Sequence, residues 1–298
     1  MTQSARTLIT LVLALAPFHV AAQSAAFSPD AEPRPRLLIT NDNGVNDPKL
    51  VALARACASW AETWVIAPAQ DQSGSSTFLK LPRAGSVAVE RRDLGPGIEA
   101  FAVDGHPADC VLVGLGAILR DRPPSLVISG INGGPNLGAD WMFSGTIGAA
   151  RVAALAGFPA IAVSGLDDDV PGAVDAAVDW VVRFAQHRTV QGLAPGEYLT
   201  VSLPPGGPSE VQGVRIADRA RLRRGPSLTY DETAGLCRIT GVATLDAPLS
   251  AIADERLHAS GAIVVVPMHA SEVDATRLLE WIRHPPELPI WRPPTRGR

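Results

Sequence analysis

Three stretches of the sequence gather oxygen-bearing side chains and contain neither thiol nor imidazole: Asn41-Asp42-Asn43-Gly44, the run Pro68 to Ser76 that ends Ser73-Gly74-Ser75-Ser76, and Gly130-Ile131-Asn132-Gly133-Gly134-Pro135-Asn136. A carboxylate, an Asn carbonyl and a Ser hydroxyl together suit a hard divalent cation, Mg2+, Mn2+ or Ca2+, better than a structural zinc. Such an ion with open positions holds a phosphate and lowers the pKa of bound water. Each stretch alone reads more readily as a turn, because Asn and Asp side chains bond their own backbone and Ser-Gly is an ordinary loop dipeptide. A fourth stretch, Phe143-Ser144-Gly145-Thr146-Ile147-Gly148-Ala149, precedes a small-residue helix. Amides and hydroxyls at a helix N-terminus favour an anion; plain N-capping by Ser144 or Thr146 accounts for the same residues equally well.

Other chemistries have weaker support. Neither GxGxxG nor GxxxxGK[ST] occurs, which speaks against dinucleotide binding and P-loop hydrolysis, and there is no G-x-S-x-G elbow. His106, in Asp104-Gly105-His106-Pro107-Ala108-Asp109-Cys110, and His269 lack ligand-spaced partners and read as structural or surface residues. Cys57, Cys110 and Cys237 are far apart, so neither a zinc cluster nor a disulfide framework is indicated. Cys110 lies in an apolar helix-like run and reads as a buried small hydrophobe.

Around these groups, short apolar runs alternate with helical patterns. Strands are expected at 36–40, 63–67, 100–103, 126–129, 160–164 and 198–203, and helices over about 48–60, 108–119, 145–156 and 172–186. Nearly uninterrupted apolar strands between amphipathic helices imply a mostly parallel sheet covered on both faces, a Rossmann-like doubly wound α/β core. In such a sheet ligands bind outside the carboxyl ends of the strands, at the switch point. Asn41 to Gly44, Pro68 to Ser76 and Gly130 to Asn136 each follow a strand, and that shared position favours the metal reading over three unrelated turns. After the break Pro204-Pro205-Gly206-Gly207-Pro208 the texture changes to strands at 211–217, 236–243 and 261–267 without intervening helical runs, an expected antiparallel extension. Ser271 to Arg283 reads as a last amphipathic helix before a Pro-rich tail, and the basic run Arg219 to Arg224 most simply as a solvated loop.

At the N-terminus, Arg6, the apolar run Leu8 to Pro17 and Val20-Ala21-Ala22 give the pattern of a cleavable export signal over residues 1–22. That run is shorter than the about 20 residues a membrane span needs. Residues 23–35 are polar and Pro-rich, an expected flexible leader; 36–283 form the domain, divided into a core of about 36–205 and an extension of about 206–283, and 284–298 form the tail. Export would place the chain in the periplasm or the medium, with no membrane span once the signal is cleaved. Cleavage removes one arginine and no acid, taking the formal charge from −4 to −5. That charge argues against a nucleic-acid polymer as partner.

In chain order, Leu37-Leu-Ile-Thr-Asn-Asp-Asn-Gly44, Val65-Ile-Ala-Pro68 with Gln72-Ser-Gly-Ser-Ser76, Gly105-His-Pro-Ala-Asp-Cys110, Val127-Ile-Ser-Gly-Ile-Asn-Gly-Gly-Pro-Asn-Leu-Gly138, Phe143-Ser-Gly-Thr-Ile-Gly-Ala-Ala150 and Val266-Pro-Met-His269 resemble the survival protein SurE family of metal-dependent nucleoside-monophosphate phosphatases. The resemblance implies a carboxyl-terminal arm exchanged between subunits, a homodimer or tetramer, and hydrolysis of 5′- or 3′-nucleotides. It implies one divalent cation per subunit, Mg2+ or Mn2+ first and Ca2+ as a further option. The family's ligand set falls on Asp42, Asn43, Ser73 and Asn132, so that Asn43 stands where a second aspartate is expected. Asp42 and Asn43 would carry the chemistry, and Asn132, Ser144, Gly145 and Thr146 would hold the phosphate. An amide at 43 removes a charge and cannot act as a base; Asp47 has two readings, a compensating charge and a helix N-cap. The alternative reading is a relative that binds phosphate or a nucleotide without turnover.

Overall fold

The computed structural model describes residues 34–220, 224–244, 250–271, 279 and 282–284. The expected signal, nearly all of the leader, most of the 271–283 helix and nearly all of the tail lie outside the described residues. Among the described residues no helix is long and apolar enough to cross a membrane.

The chain runs β1 (Arg36–Thr40), α1 (Pro48–Ala58), β2 (Glu62–Pro68), α2 (Leu81–Ala84), β3 (Val89–Arg92), β4 (Ile98–Val103), α3 (Pro107–Val113), β5 (Leu126–Ser129), α4 (Gly145–Leu155), β6 (Ala160–Ser164), α5 (Ala173–Ala185), α6 (Arg188–Gln191), β7 (Glu197–Ser202), β8 (Val214–Ile216), β9 (Arg224–Asp231), β10 (Leu236–Thr244), α7 (Asp254–Ala259) and β11 (Ile263–His269). Nine strands form one sheet in the order β3-β4-β2-β1-β5-β6-β7-β11-β8. The pairs from β4 through β7 are parallel, whereas β3 on β4 and β11 on β7 are antiparallel.

Alternation along β1 explains its unbroken apolar run. Leu37 and Ile39 pack with Leu50, Leu53 and Val181 of α1 and α5 on one face, and Leu38 packs with Val111 and Ile147 of α3 and α4 on the other. Asp47 starts α1: its Oδ1 accepts the N–H groups of Lys49 and Leu50 at 2.8 and 3.2 Å, with Pro48 at the first helical position. A cap of this kind stabilises by about 1 kcal/mol.

Two expectations need correction. The 108–119 helix is α for Pro107–Val113 only and continues as a π-helical turn, Gly114–Ile118. There the backbone lies against β1: a Cβ at Gly114 would stand 2.9 Å from Leu38 and 3.1 Å from Ile66. After residue 208 the antiparallel texture is present, in the β9–β10 ribbon and in β11 on β7, but a helix, α7, intervenes where none was expected. β8 and β11 join the main sheet as a parallel pair, and only β9 and β10 make a separate antiparallel ribbon. The run Ile263-Val-Val-Val266 is buried on both sides, which a central strand requires and a solvated hairpin does not.

Candidate active site

β1 is the strand at which the chain order reverses: β2 lies on one side of it and β5 on the other. A crevice therefore opens beyond its carboxyl end, between the loops after β1 and β5. In the first loop the turn chemistry belongs to Asn41. Its buried side chain donates from Nδ2 to Gly44 O at 3.0 Å and accepts the Gly44 N–H on Oδ1 at 3.2 Å. Gly44 takes φ +109°, where a side chain is strained. The loop is stitched to the one after β2, since Val45 N–H donates to Pro68 O at 2.8 Å and Gln72 N–H to Asp42 O at 2.7 Å.

Asp42 is thereby turned toward the start of α4. It is 3 % exposed, and its carboxylate accepts the Thr146 hydroxyl at 2.7 Å on Oδ1 and the Thr146 N–H at 3.1 Å on Oδ2. Burial pushes its pKa above the usual carboxylate range; the two Thr146 bonds pull the other way, and the negative charge of Asp71 adds to the rise. The approach is close: a Cβ at Gly145 would stand 2.8 Å from Ser75 Oγ and 3.1 Å from Asp42 Oδ2. Ser144 caps α4, its Oγ accepting the Ile147 N–H at 3.1 Å.

Asp42, Ser73, Gly74, Asn132, Pro135, Asn136, Asp140, Phe143 and Ser144 line one cleft of about 300 Å3. Ser73 is held by Asp71, whose Oδ1 accepts both its N–H and its hydroxyl at 2.7 Å. Asn132 donates its N–H to Val163 O at 3.0 Å and its Nδ2 to Gly134 O at 2.8 Å, which leaves its one side-chain oxygen as the group to offer a cation. Four of the expected residues, Asp42, Ser73, Asn132 and Ser144, thus share the cleft. Gly145 and Thr146 stand behind Asp42, and both donors of Thr146 are directed at that carboxylate instead of at a ligand's phosphate. Asn43 is not among the lining residues; its Oδ1 is buried with no hydrogen-bond partner.

Asp71, Asn136, Asp140 and Phe143 have no distinguishing pattern of their own in the sequence, although each sits within or beside one of the motifs above. Arg219 does not lie in the solvated loop that its basic run most simply suggests. The guanidinium is instead held by Asp254 at 3.0 Å, Asn136 O at 2.6 Å and the Thr200 hydroxyl, and Asp254 Oδ2 also accepts the Gly138 N–H at 2.9 Å. This pair fastens the loop that carries Asn136 to β7 and α7. His106 opens α3 and meets Phe78 edge-on at 4.9 Å, a structural place, as expected. Burial raises Cys110 well above its ordinary value and Cys57 to about 12, so neither thiol is poised as a nucleophile.

The family model described as Survival protein SurE matches residues 37–225, a span that holds every lining residue of the cleft. The chain belongs to the SurE family. It is 35 % identical over 250 residues to a protein of Roseobacter denitrificans named 5′-nucleotidase SurE, covering 79 % of this chain and 94 % of that one. To the 5′/3′-nucleotidase SurE of Yersinia enterocolitica it is 37 % identical over 190 residues, 61 % of this chain and 69 % of the relative. The crystal structure of the SurE protein from Aquifex aeolicus superposes with a TM-score of 0.68 at 25 % identity, covering 84 % of this chain and all of that one.

Proposed function

We propose that this chain is an exported, metal-dependent phosphomonoesterase that releases phosphate from nucleoside 5′- or 3′-monophosphates, working as a homodimer or tetramer. The observation that carries the reading is Asp42, a nearly buried carboxylate that shares one cleft with Ser73, Asn132 and the N-cap of α4. The names of the relatives, 5′-nucleotidase and 5′/3′-nucleotidase, supply the substrate class.

The donor set fits a hard cation: one carboxylate, amide oxygens and a hydroxyl, with no thiol or imidazole among the residues lining the cleft. The unpartnered Asn43 oxygen is an acceptor that a cation would satisfy. Asp42, Ser73, Asn132 and Asn43 would hold Mg2+ or Mn2+, with Ca2+ as the third option, and the ion would supply Lewis-acid polarisation of the phosphoryl group and an acidified water. Thr146 fixes the carboxylate of Asp42 in one rotamer. Asp71 does the same for the Ser73 hydroxyl. The N-terminal end of α4, capped by Ser144 at the cleft wall, presents its positive pole to the phosphate.

Hydrolysis of a 5′- and 3′-nucleotide panel and p-nitrophenyl phosphate by the purified protein, with Mn2+, Mg2+ or EDTA, tests this. Metal-dependent phosphate release is the expected result, greatest for nucleotides. Nucleotide binding without release would instead establish the non-catalytic alternative that Asn43 suggests. Export is checked by cell fractionation with sequencing of the mature N-terminus, expected in the periplasm or medium and starting near Gln23.

A further inference from the structure

The cleft wall beside Ser144 carries a side chain that neither the metal site nor the phosphate site uses. Phe143 lines the cleft and is 65 % exposed. Leaving most of a large apolar ring in water forgoes the stabilisation its burial would provide, and ligand clefts are lined mainly by apolar and aromatic side chains beside a few placed polar groups. The backbone around the ring is fastened on both sides. Phe143 N–H donates to Asp140 O at 3.0 Å, Phe143 O accepts the Ser76 N–H at 3.1 Å, and Met142 O accepts the Ser76 hydroxyl at 2.6 Å. The ring's base is therefore anchored to the loop after β2 that also carries Ser73, and the ring is exposed without belonging to a loose tip.

Its place along the chain defines what it meets. Ser144, the next residue, caps α4 where the phosphate would rest, and Phe143 and Ser144 line the same cleft. We infer that Phe143 is the stacking face for the nucleobase of a nucleoside monophosphate, and that it gives this cleft its preference for nucleotides over aliphatic phosphate esters. The inference rests on the proposed phosphatase reading and adds the part of the substrate that the metal site does not touch. Every base has a π-face, so a ring without hydrogen-bonding groups predicts weak discrimination among bases and strong discrimination against substrates lacking one.

The test compares wild type with Phe143→Ala, Phe143→Leu and Phe143→Tyr, using 5′-AMP and glycerol phosphate as substrates and adenosine binding by calorimetry in EDTA. In Phe143→Ala the ratio of KM for AMP to KM for glycerol phosphate should rise about tenfold to a hundredfold, the range that loss of one base–aromatic stack allows. Adenosine affinity should fall by a similar factor. Tyr should restore both and Leu should not, since only Tyr keeps a flat ring. An unchanged ratio and unchanged adenosine affinity in Phe143→Ala would overturn the inference. So would a fall in sedimenting mass with no change in the ratio, which would make the ring a subunit contact. Absence of turnover in every protein, with adenosine still bound in a Phe143-dependent way, would defeat the phosphatase reading and leave this inference standing.

Discussion

Asp42 carries two opposed demands. Its burial raises the cost of the charged form, and the charge is what a cation needs. Since its folded-state pKa lies above the unfolded one, protonation favours the native state: the cost is absent below the unfolded value, near 3.8, and present in full once pH exceeds the folded value. In EDTA at pH 7, Asp42→Asn should therefore melt above wild type, by a margin that narrows toward zero as pH falls below the ordinary carboxylate range; differential scanning calorimetry reads it. The same variant should lose about a hundredfold or more in metal-dependent kcat/KM, as removal of the only carboxylate in the ligand set implies. A D42N protein with wild-type turnover would sink the site. Protons compete with the metal for this carboxylate, so metal affinity should weaken as pH is lowered from 8 to 5. Thr146→Val, which removes a donor that favours the charged form, should steepen that fall. At position 43 the unpartnered amide oxygen leads to an expected gain: Asn43→Asp restores a charge and should tighten metal binding by about tenfold in a calorimetric titration. A weaker metal site in Asn43→Asp would mean that the cleft is built around the amide.

At the scale of elements, the seating of α4 against the loop after β2 brings Ser73 to the same cleft as Asp42. Gly148 permits it, for a Cβ there would overlap the carbonyl oxygen of Ser76. Alanine improves helix propensity over glycine by about 1 kcal/mol, but the backbone clash outweighs it. Gly148→Ala should lose roughly 2 kcal/mol or more in thermal unfolding and most of its kcat/KM as the Ser73 loop is pushed away. A second tie is Lys49, which reaches Asp168 at 2.8 Å and Asp47 at 3.2 Å and joins α1 to the loop after β6. Burial works against its charge, yet the two aspartates win and raise its pKa, so this contact stabilises below about 10.5 and is lost as pH rises through the folded value. Lys49→Met should therefore cost stability at pH 7 and progressively less as pH rises past the ordinary lysine value of 10.5 in urea titrations.

The elements were unevenly legible. β1, β5 and β6 have the expected bounds because each is a short apolar run buried on both faces. β3 escaped notice, since Val89-Glu-Arg-Arg92 is an exposed edge strand with no apolar alternation. Arg219 was misplaced for a different reason: its partner Asp254 lies 35 residues along the chain, and nothing local distinguishes a buried arginine from a solvated one. In the site, Asp42, Ser73 and Asn132 could be picked out by their position after strands. Asp140 and Phe143 could not, because only the folded loop brings them to the cleft.

At the scale of the whole molecule, the β9–β10 ribbon forms a sheet of its own among the described residues. Two antiparallel strands alone are marginal in water. In this ribbon Ile239 faces Leu228 and Cys237 faces Tyr230, so these four side chains share one surface. All four are exposed, Ile239 to 75 %. The other face alternates Thr229, Asp231, Leu236 and Arg238, which suits solvent better. We propose that a partner subunit covers this apolar face, as the exchanged arm implied by the family resemblance would require. Ile239→Arg places a charge at the centre of that face and would leave it unpaired against apolar groups in the assembly, a cost of several kcal/mol where the burial is complete. Sedimentation velocity at micromolar concentration should show wild type as a dimer or tetramer and Ile239→Arg at lower mass, while the circular dichroism of the α/β core persists because the ribbon is no part of the nine-stranded sheet. An Ile239→Arg protein of unchanged mass would show that the ribbon face lies outside the subunit interface.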